Sequence, residues 1–314
     1  MRITTGMQSN NMLRSLQGSN ERSVKLQEQL SSGRKMNRPS DDPVGVSRSL
    51  KLNRDLAENT QYSSNLNDAI SFLDTTDVAL DGIDNILQKL KELTVYGAND
   101  TLPQASRDAI ALEVDELLGQ TIQVANTSKA GSYIFAGHKV LTEPFKLVTA
   151  ADDPTKQAVQ YLGDDGKLLY EIAPNITDNV NYTGPEALGA FTTTAGPLTT
   201  DDNLFNDMIK LRDILKSGAA DISAQLQPIL GKLDEKLDKV LNIRATVGAK
   251  SNKMELSLNR MESAFVNITE QIANNDDTDV AKAIMQLKLE ENVYKSALSV
   301  GSRVIPPSLV DFLS

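Results

Sequence analysis

The stretch "LQPILGKLDEKLDKVLNIRATVGAKSNKMELSLNRMESAFVNITEQI", residues 226–272, decides the fold of this 314-residue chain. Its regular positions are Leu226, Leu230, Leu233, Leu237, Val240, Arg244, Val247, Ser251, Met254, Leu258, Met261, Phe265, Ile268 and Ile272, and the steps between them alternate four and three without a break. All are apolar except Arg244 and Ser251. This spacing is the seam of one long helix of coiled-coil type. One helix cannot bury its own stripe, so partner helices are required.

Two partners lie upstream. Residues 50–94 carry Leu66, Ile70, Leu73, Leu80, Ile83, Leu87 and Leu90 in the same rhythm. The phase slips near Asp77, which predicts a local irregularity there. Residues 104–127 place Ile110, Val114, Leu117 and Val124 on one face. The turn-rich "GANDTLPQ" (97–104) separates the two. The fold class is therefore mainly α: a long antiparallel bundle or coiled coil built from both ends of the chain. Residues 139–201 differ, being rich in Gly, Pro, Thr and Asp. There "AVQYLGDDGKLLYEI" (158–172) reads as a β-hairpin turning at Gly163-Asp164-Asp165-Gly166, and "NVNYTG" and "GAFTTT" as further short strands. The expected division is 1–44 with 276–314, an inner pair of terminal helices; 45–138 with 202–275, a helical bundle; and 139–201, a β-rich insertion.

The ends have their own pattern. Residues 1–32 read as a weakly amphipathic helix. Residues 280–305 carry two apolar stripes. One is Val280, Ile284, Leu287, Tyr294 and Leu298; the other is Met285, Leu289, Val293, Ala297 and Val300. Two stripes need two neighbours. The first helix can be one, and the other must come from another subunit.

The composition removes several classes of function. The net charge is −10, which disfavours a phosphate-backbone partner, so no nucleic acid is expected. With no Cys, disulfides, thiolate metal sites and Cys nucleophiles are excluded, and the single His leaves only His138 for any imidazole chemistry. No nucleophile motif accompanies it, and "GDDG" lacks the ligands of a calcium loop. Cofactors, metals and catalytic residues are all expected to be none. No apolar run approaches the ~20 residues of a membrane span, and "MRITTGMQSNNML" at the start lacks the apolar core of a secretory signal.

One charged stretch remains, "LSSGRKMNRPSDDPVGVS" (30–47). Gly33 reads as the left-handed residue that ends the first helix. Asp42 reads as the N-cap and Pro43 as the first residue of the next helix. Arg34, Lys35 and Arg38 lie between them, free to pair with Asp41 and Asp42. The turn chemistry is that of a shaped connector and needs no substrate.

This connector resembles the segment that follows the first helix in flagellins and flagellar hook-associated proteins. "MRITTGMQSNNML", "NNDDTDVAKAIMQLKLEENVYKSAL" (274–298) and the apolar tail "SLVDFLS" (308–314) are similar to that family too. The likeness covers roughly 1–138 and 202–314, and "NRPSDDP" (37–43) is nearest to the members found where hook meets filament. The resemblance implies a structural adaptor that self-assembles as a ring through paired terminal helices. Its implied partners are an adjacent hook-associated protein, flagellin, an export chaperone and the type III export apparatus. The implied location is the extracellular flagellum, reached without a cleaved signal peptide. The expected assembly residues are Leu287, Tyr294, Leu298, Leu309, Phe312 and Leu313. The alternative within the family is flagellin itself; a hydrolase acting through His138 is the reading outside it.

Overall fold

The computed structural model describes residues 5–153, 156–191, 198–218 and 221–304. The helices are α1 (Thr5–Ser32), α2 (Pro43–Gly97), α3 (Gln104–Ala125), α4 (Gly184–Leu188), α5 (Leu204–Lys216), α6 (Ile222–Asp276) and α7 (Val280–Val304). The strands are β1 (Ser128–Lys129), β2 (Ser132–Tyr133), β3 (Phe145–Thr149), β4 (Gln157–Tyr161), β5 (Leu169–Ala173) and β6 (Ile176–Asn179). Two compact units are present, Met1–Asn59 with Ser263–Ser314, and Thr60–Glu262. The division falls inside α2 and α6 rather than at their ends, and residues 139–201 belong to the Thr60–Glu262 unit together with α3 and α5.

In the Thr60–Glu262 unit the seam of α6 is buried at every seventh residue: Leu226, Leu233, Val240, Val247, Met254 and Met261. The alternate positions Leu230, Leu237 and Leu258 are only half-buried. On α2 the same interval recurs in Leu66, Leu73, Leu80 and Leu87, all fully buried. The expected irregularity near Asp77 is absent, because α2 runs unbroken through it. The reason is the polar exception in the other seam. Arg244 on α6 reaches Asp77 (3.1 Å) and Asp81 (2.9 Å), with Asp84 at 3.7 Å. A guanidinium can fork between carboxylates on successive helical turns, so Arg244, a polar exception of the α6 seam, meets Asp77 and Asp81 of α2. Helix α3 starts behind Pro103, and Arg107 ties back to the Asn99 carbonyl (3.1 Å), fixing the turn before it.

Among the described residues the strands form three separate antiparallel pairs, β1–β2, β3–β4 and β5–β6. This corrects the expected hairpin at 163–166: both of its strands exist, but they do not pair with each other. Strand β4 pairs with β3, and β5 turns at Asn175, which has φ 59°, to pair with β6. An Asn tolerates that left-handed turn. The 163–166 loop is pinned instead by Asp164, whose carboxylate accepts the N–H groups of His138 (2.6 Å) and Gly166 (3.0 Å). "NVNYTG" holds the end of β6 and then the Thr183 cap of α4. In "GAFTTT", Gly189 makes a single bridge to Asn203, and 192–194 lie outside the described residues. Phe145, Tyr161, Phe191 and Phe205 pack ring to ring, with centroids 5.3–6.1 Å apart. They join the strands to α5.

One buried group makes this unit sensitive to pH. Asp207 in the first turn of α5 is 0% exposed, and among the described residues neither carboxylate oxygen has a hydrogen-bond partner. The nearest cation, Lys232, is 3.7 Å away and also holds Asp202 at 3.0 Å. Burial pushes the Asp207 carboxyl above the usual range, against the opposing pull of Lys232, Lys236 and Lys210. The folded state therefore binds this proton more tightly than the unfolded chain, whose Asp titrates at about 3.9. Stability from this group is greatest below that value. It falls as pH rises through the raised folded value and stays low above it. Asp207→Asn should flatten that part of the stability–pH curve, as read by urea melts from pH 4 to 8. An unchanged slope would show that Asp207 does not carry it.

Candidate assembly interface

In the Met1–Asn59 and Ser263–Ser314 unit, α1 packs along α7. The crossing is clasped by polar groups. Glu290 accepts from Ser19 Oγ (2.8 Å) and from Arg22 Nε (2.7 Å) and Nη2 (3.1 Å). These donors, Arg22 first, hold the Glu290 carboxyl below its usual range. Ala283 of α7 is buried and Leu287 half-buried.

The connector is built backbone first. Gly33 has φ 70°, a conformation that costs a side chain energy and suits a glycine ending α1. Its carbonyl accepts from Thr278 N (3.0 Å), and Lys35 N donates to the Asp276 carbonyl (2.6 Å). A short bridge thus forms at Arg34 and Asp277, where α6 passes into α7. Asp276 is buried and also takes Ser49 Oγ at 2.5 Å, while Asn275 reaches the Gly45 carbonyl at 3.0 Å. Asp41 accepts the N–H groups of Arg38 (3.1 Å) and Asn37 (3.3 Å) and pairs with Lys25 (2.9 Å). Lys25, and then those backbone donors, hold its carboxyl below the usual range. Arg38 pairs with Glu28 of α1 at 2.8 Å rather than with Asp41 or Asp42. Asp42 Oδ1 accepts from Val44 N (3.1 Å) and Gly45 N (3.0 Å), so it satisfies two of the free donors where α2 starts at Pro43.

Asp42→Ala should therefore destabilise this unit by about 0.5–2 kcal/mol. Hydrogen exchange at the first turn of α2 would rise accordingly. No change in exchange there would show that the cap does not hold the turn.

The outward side of α7 carries apolar residues among polar ones, with Lys288, Asn292 and Ser296 beside them. Met285, Leu289, Val293 and Val300 are exposed, and with Met12 of α1 and Ala297 they line a groove of about 730 Å³. Val280, Ile284, Tyr294 and Leu298 expose a second flank. Of the expected assembly residues, Tyr294 and Leu298 thus lie on an open face and Leu287 is half-buried. Leu309, Phe312 and Leu313 lie outside the described residues. His138 lies in the other unit, its Nε2 3.0 Å from the Lys167 carbonyl oxygen. The Arg22–Glu290 clasp was not foreseen. Its members stand 268 positions apart in chain order, and no local pattern marks them.

Comparison with known proteins matches two family models. Residues 3–140 fit the bacterial flagellin N-terminal helical region, and residues 230–313 fit the bacterial flagellin C-terminal helical region. The chain is 27% identical over 313 residues to flagellar hook-associated protein 3 of Escherichia coli K12, covering 94% of this chain and 96% of that one. It is 29% identical over 297 residues to flagellin of Bacillus subtilis 168, covering 95% and 93%. Among solved structures it shares its fold with hook-associated protein 3 of Legionella pneumophila. The TM-score is 0.61 at 16% identity, covering 71% of this chain and 98% of that one.

Proposed function

Because this chain belongs to the bacterial flagellin family, whose N- and C-terminal helical regions it carries, we propose that it is a structural adaptor forming the junction between flagellar hook and filament. The observation that carries the reading is the outward face of α7. That helix already has α1 on one side and still exposes Met285, Leu289, Val293 and Val300 on another. An apolar stripe of that length is the mark of a surface that another subunit covers. In this reading the occupant is a second copy of the chain, and subunits close into a ring with Tyr294 and Leu298 at the contact. Leu287, Leu309, Phe312 and Leu313 belong to the same apolar set.

Placement at the junction rests on end-to-end likeness to the E. coli hook-associated protein 3 and on "NRPSDDP". The neighbours in the assembled structure are then another hook-associated protein on the hook side and flagellin on the other. Export runs through the flagellar type III apparatus with a dedicated chaperone and without a cleaved signal peptide. The protein acts by binding and carries out no reaction. Among the described residues no helix is long and apolar enough to cross a membrane.

The likeness to B. subtilis flagellin supports a second reading, the filament subunit. Deleting the gene separates the two. Loss of a junction protein leaves hooks without filaments while flagellin accumulates in the medium. Loss of the filament subunit leaves hooks without filaments and no flagellin in the medium. Normal filaments on normal hooks would contradict both.

A further inference from the structure

We propose that Met12 and Met285 form an oxidant-sensitive modification site, at which a peroxide converts the α1/α7 groove from apolar to polar. This rests on the reading of that groove as the assembly face. The eight methionines of the chain fall into distinct environments. Met208 and Met254 are 0% exposed and Met261 is buried in the α6 seam. Met285 is 64% exposed on the groove wall and Met12 lines the same groove. Met7 is also exposed, at 57%, but does not line the groove. Thioether oxidation follows access, so Met285 reacts first, the half-buried Met12 follows more slowly, and the seam methionines are protected.

The chemistry needs only the peroxide. The Sδ lone pair attacks one peroxide oxygen, and the S–O bond forms as the O–O bond breaks. The departing hydroxide takes up the remaining proton as water. Sulfur loses two electrons and the peroxide gains them. The product is a polar sulfoxide where a flexible apolar side chain stood.

The two positions feel this differently. At Met285 the new oxygen stands in the groove beside Leu289 and must lose its water when a neighbouring subunit covers the face. At Met12 the thioether crosses bare backbone. A Cβ placed on Gly301 would lie 2.7 Å from Met12 Sδ and 1.8 Å from its Cε. The glycine makes room for this side chain, and an added oxygen meets the α7 backbone.

The test treats the whole purified chain with dilute hydrogen peroxide. Sulfoxide is mapped by peptide mass spectrometry, and incorporation is measured by co-sedimentation with hooks isolated from the deletion strain. Sulfoxide at Met285 should build up about tenfold faster than at Met254 or Met208. Incorporation should fall in step with it and return after treatment with methionine sulfoxide reductase. A Met12→Leu/Met285→Leu chain, which keeps Met7, should incorporate equally well before and after peroxide when compared with its own untreated sample. Equal oxidation of Met285 and Met254 would overturn the proposal. So would undiminished incorporation of oxidised protein, or an equal loss in the double variant. If the untreated chain fails to incorporate, the assembly reading fails and takes the consequence of oxidation with it, while the mapping still decides whether the groove pair is the reactive site.

Discussion

Leu289→Asp is expected to abolish incorporation at the hook tip while leaving the free chain folded. Leu289 is 61% exposed on α7 and faces the groove that also holds Met285 and Val293. A surface substitution of this kind usually changes folding stability by no more than about 0.5 kcal/mol. Circular dichroism and melting of the free chain should therefore match the parent. Once a neighbouring subunit covers the face, the carboxylate is buried, and among the described residues the one cation lining the groove, Lys288, is already paired with Glu291 at 2.9 Å. An unpaired buried charge costs about 3–5 kcal/mol, more than a hundredfold in affinity. Summed around a ring, that loss is prohibitive. Normal swimming and normal filaments on a strain carrying only Leu289→Asp would show that this face stays open in the assembled flagellum.

Leu80→Ala should have the largest effect on folding. Leu80 is 0% exposed and lies in the α2 seam between Leu73 and Leu87. Removing a buried leucine side chain from such a site costs about 2–5 kcal/mol through lost transfer energy and the cavity left behind. The loss should appear as a lower urea midpoint with an unchanged slope, since the surface exposed on unfolding is the same. A shift below about 0.5 kcal/mol would be that of a surface site. It would contradict the place of Leu80 in the core.

The helical frame was legible because periodicity over many turns survives local noise. The α6 stripe runs through 226–272, and a pattern that long fits only a helix. The burial at every seventh residue, rather than at both alternating positions, was not legible. It depends on how closely neighbouring helices approach, which a single stripe does not encode. The phase slip at Asp77 was visible but misread, since it marks a contact rather than a break: Asp77 meets Arg244, the polar exception of the other seam. Strand partners failed for a related reason. The run 157–161 shows that a strand exists, but its choice of β3 over β5 is made by the turns and by Asp164, which ties down the loop between β4 and β5.

At the connector, Gly33, Asp42 and Pro43 act through short-range backbone chemistry, and such roles can be read from neighbours in sequence. The pairing of Arg38 with Glu28 and of Lys25 with Asp41 depends on how α1 passes the connector, so charge alone did not identify the partners. On α7 the two stripes were apparent from spacing. That α1 would leave both stripes largely exposed and pack on the side carrying Ala283 and Glu290 was not, because the Ser19 and Arg22 bonds to Glu290 join residues with no shared local pattern.

Immunogold electron microscopy of intact flagella tests the central claim most directly. With antibody raised against the 139–201 region, the junction assignment predicts label confined to one narrow band where the hook meets the filament. Label spread along the whole filament would contradict it and identify the chain as a filament subunit.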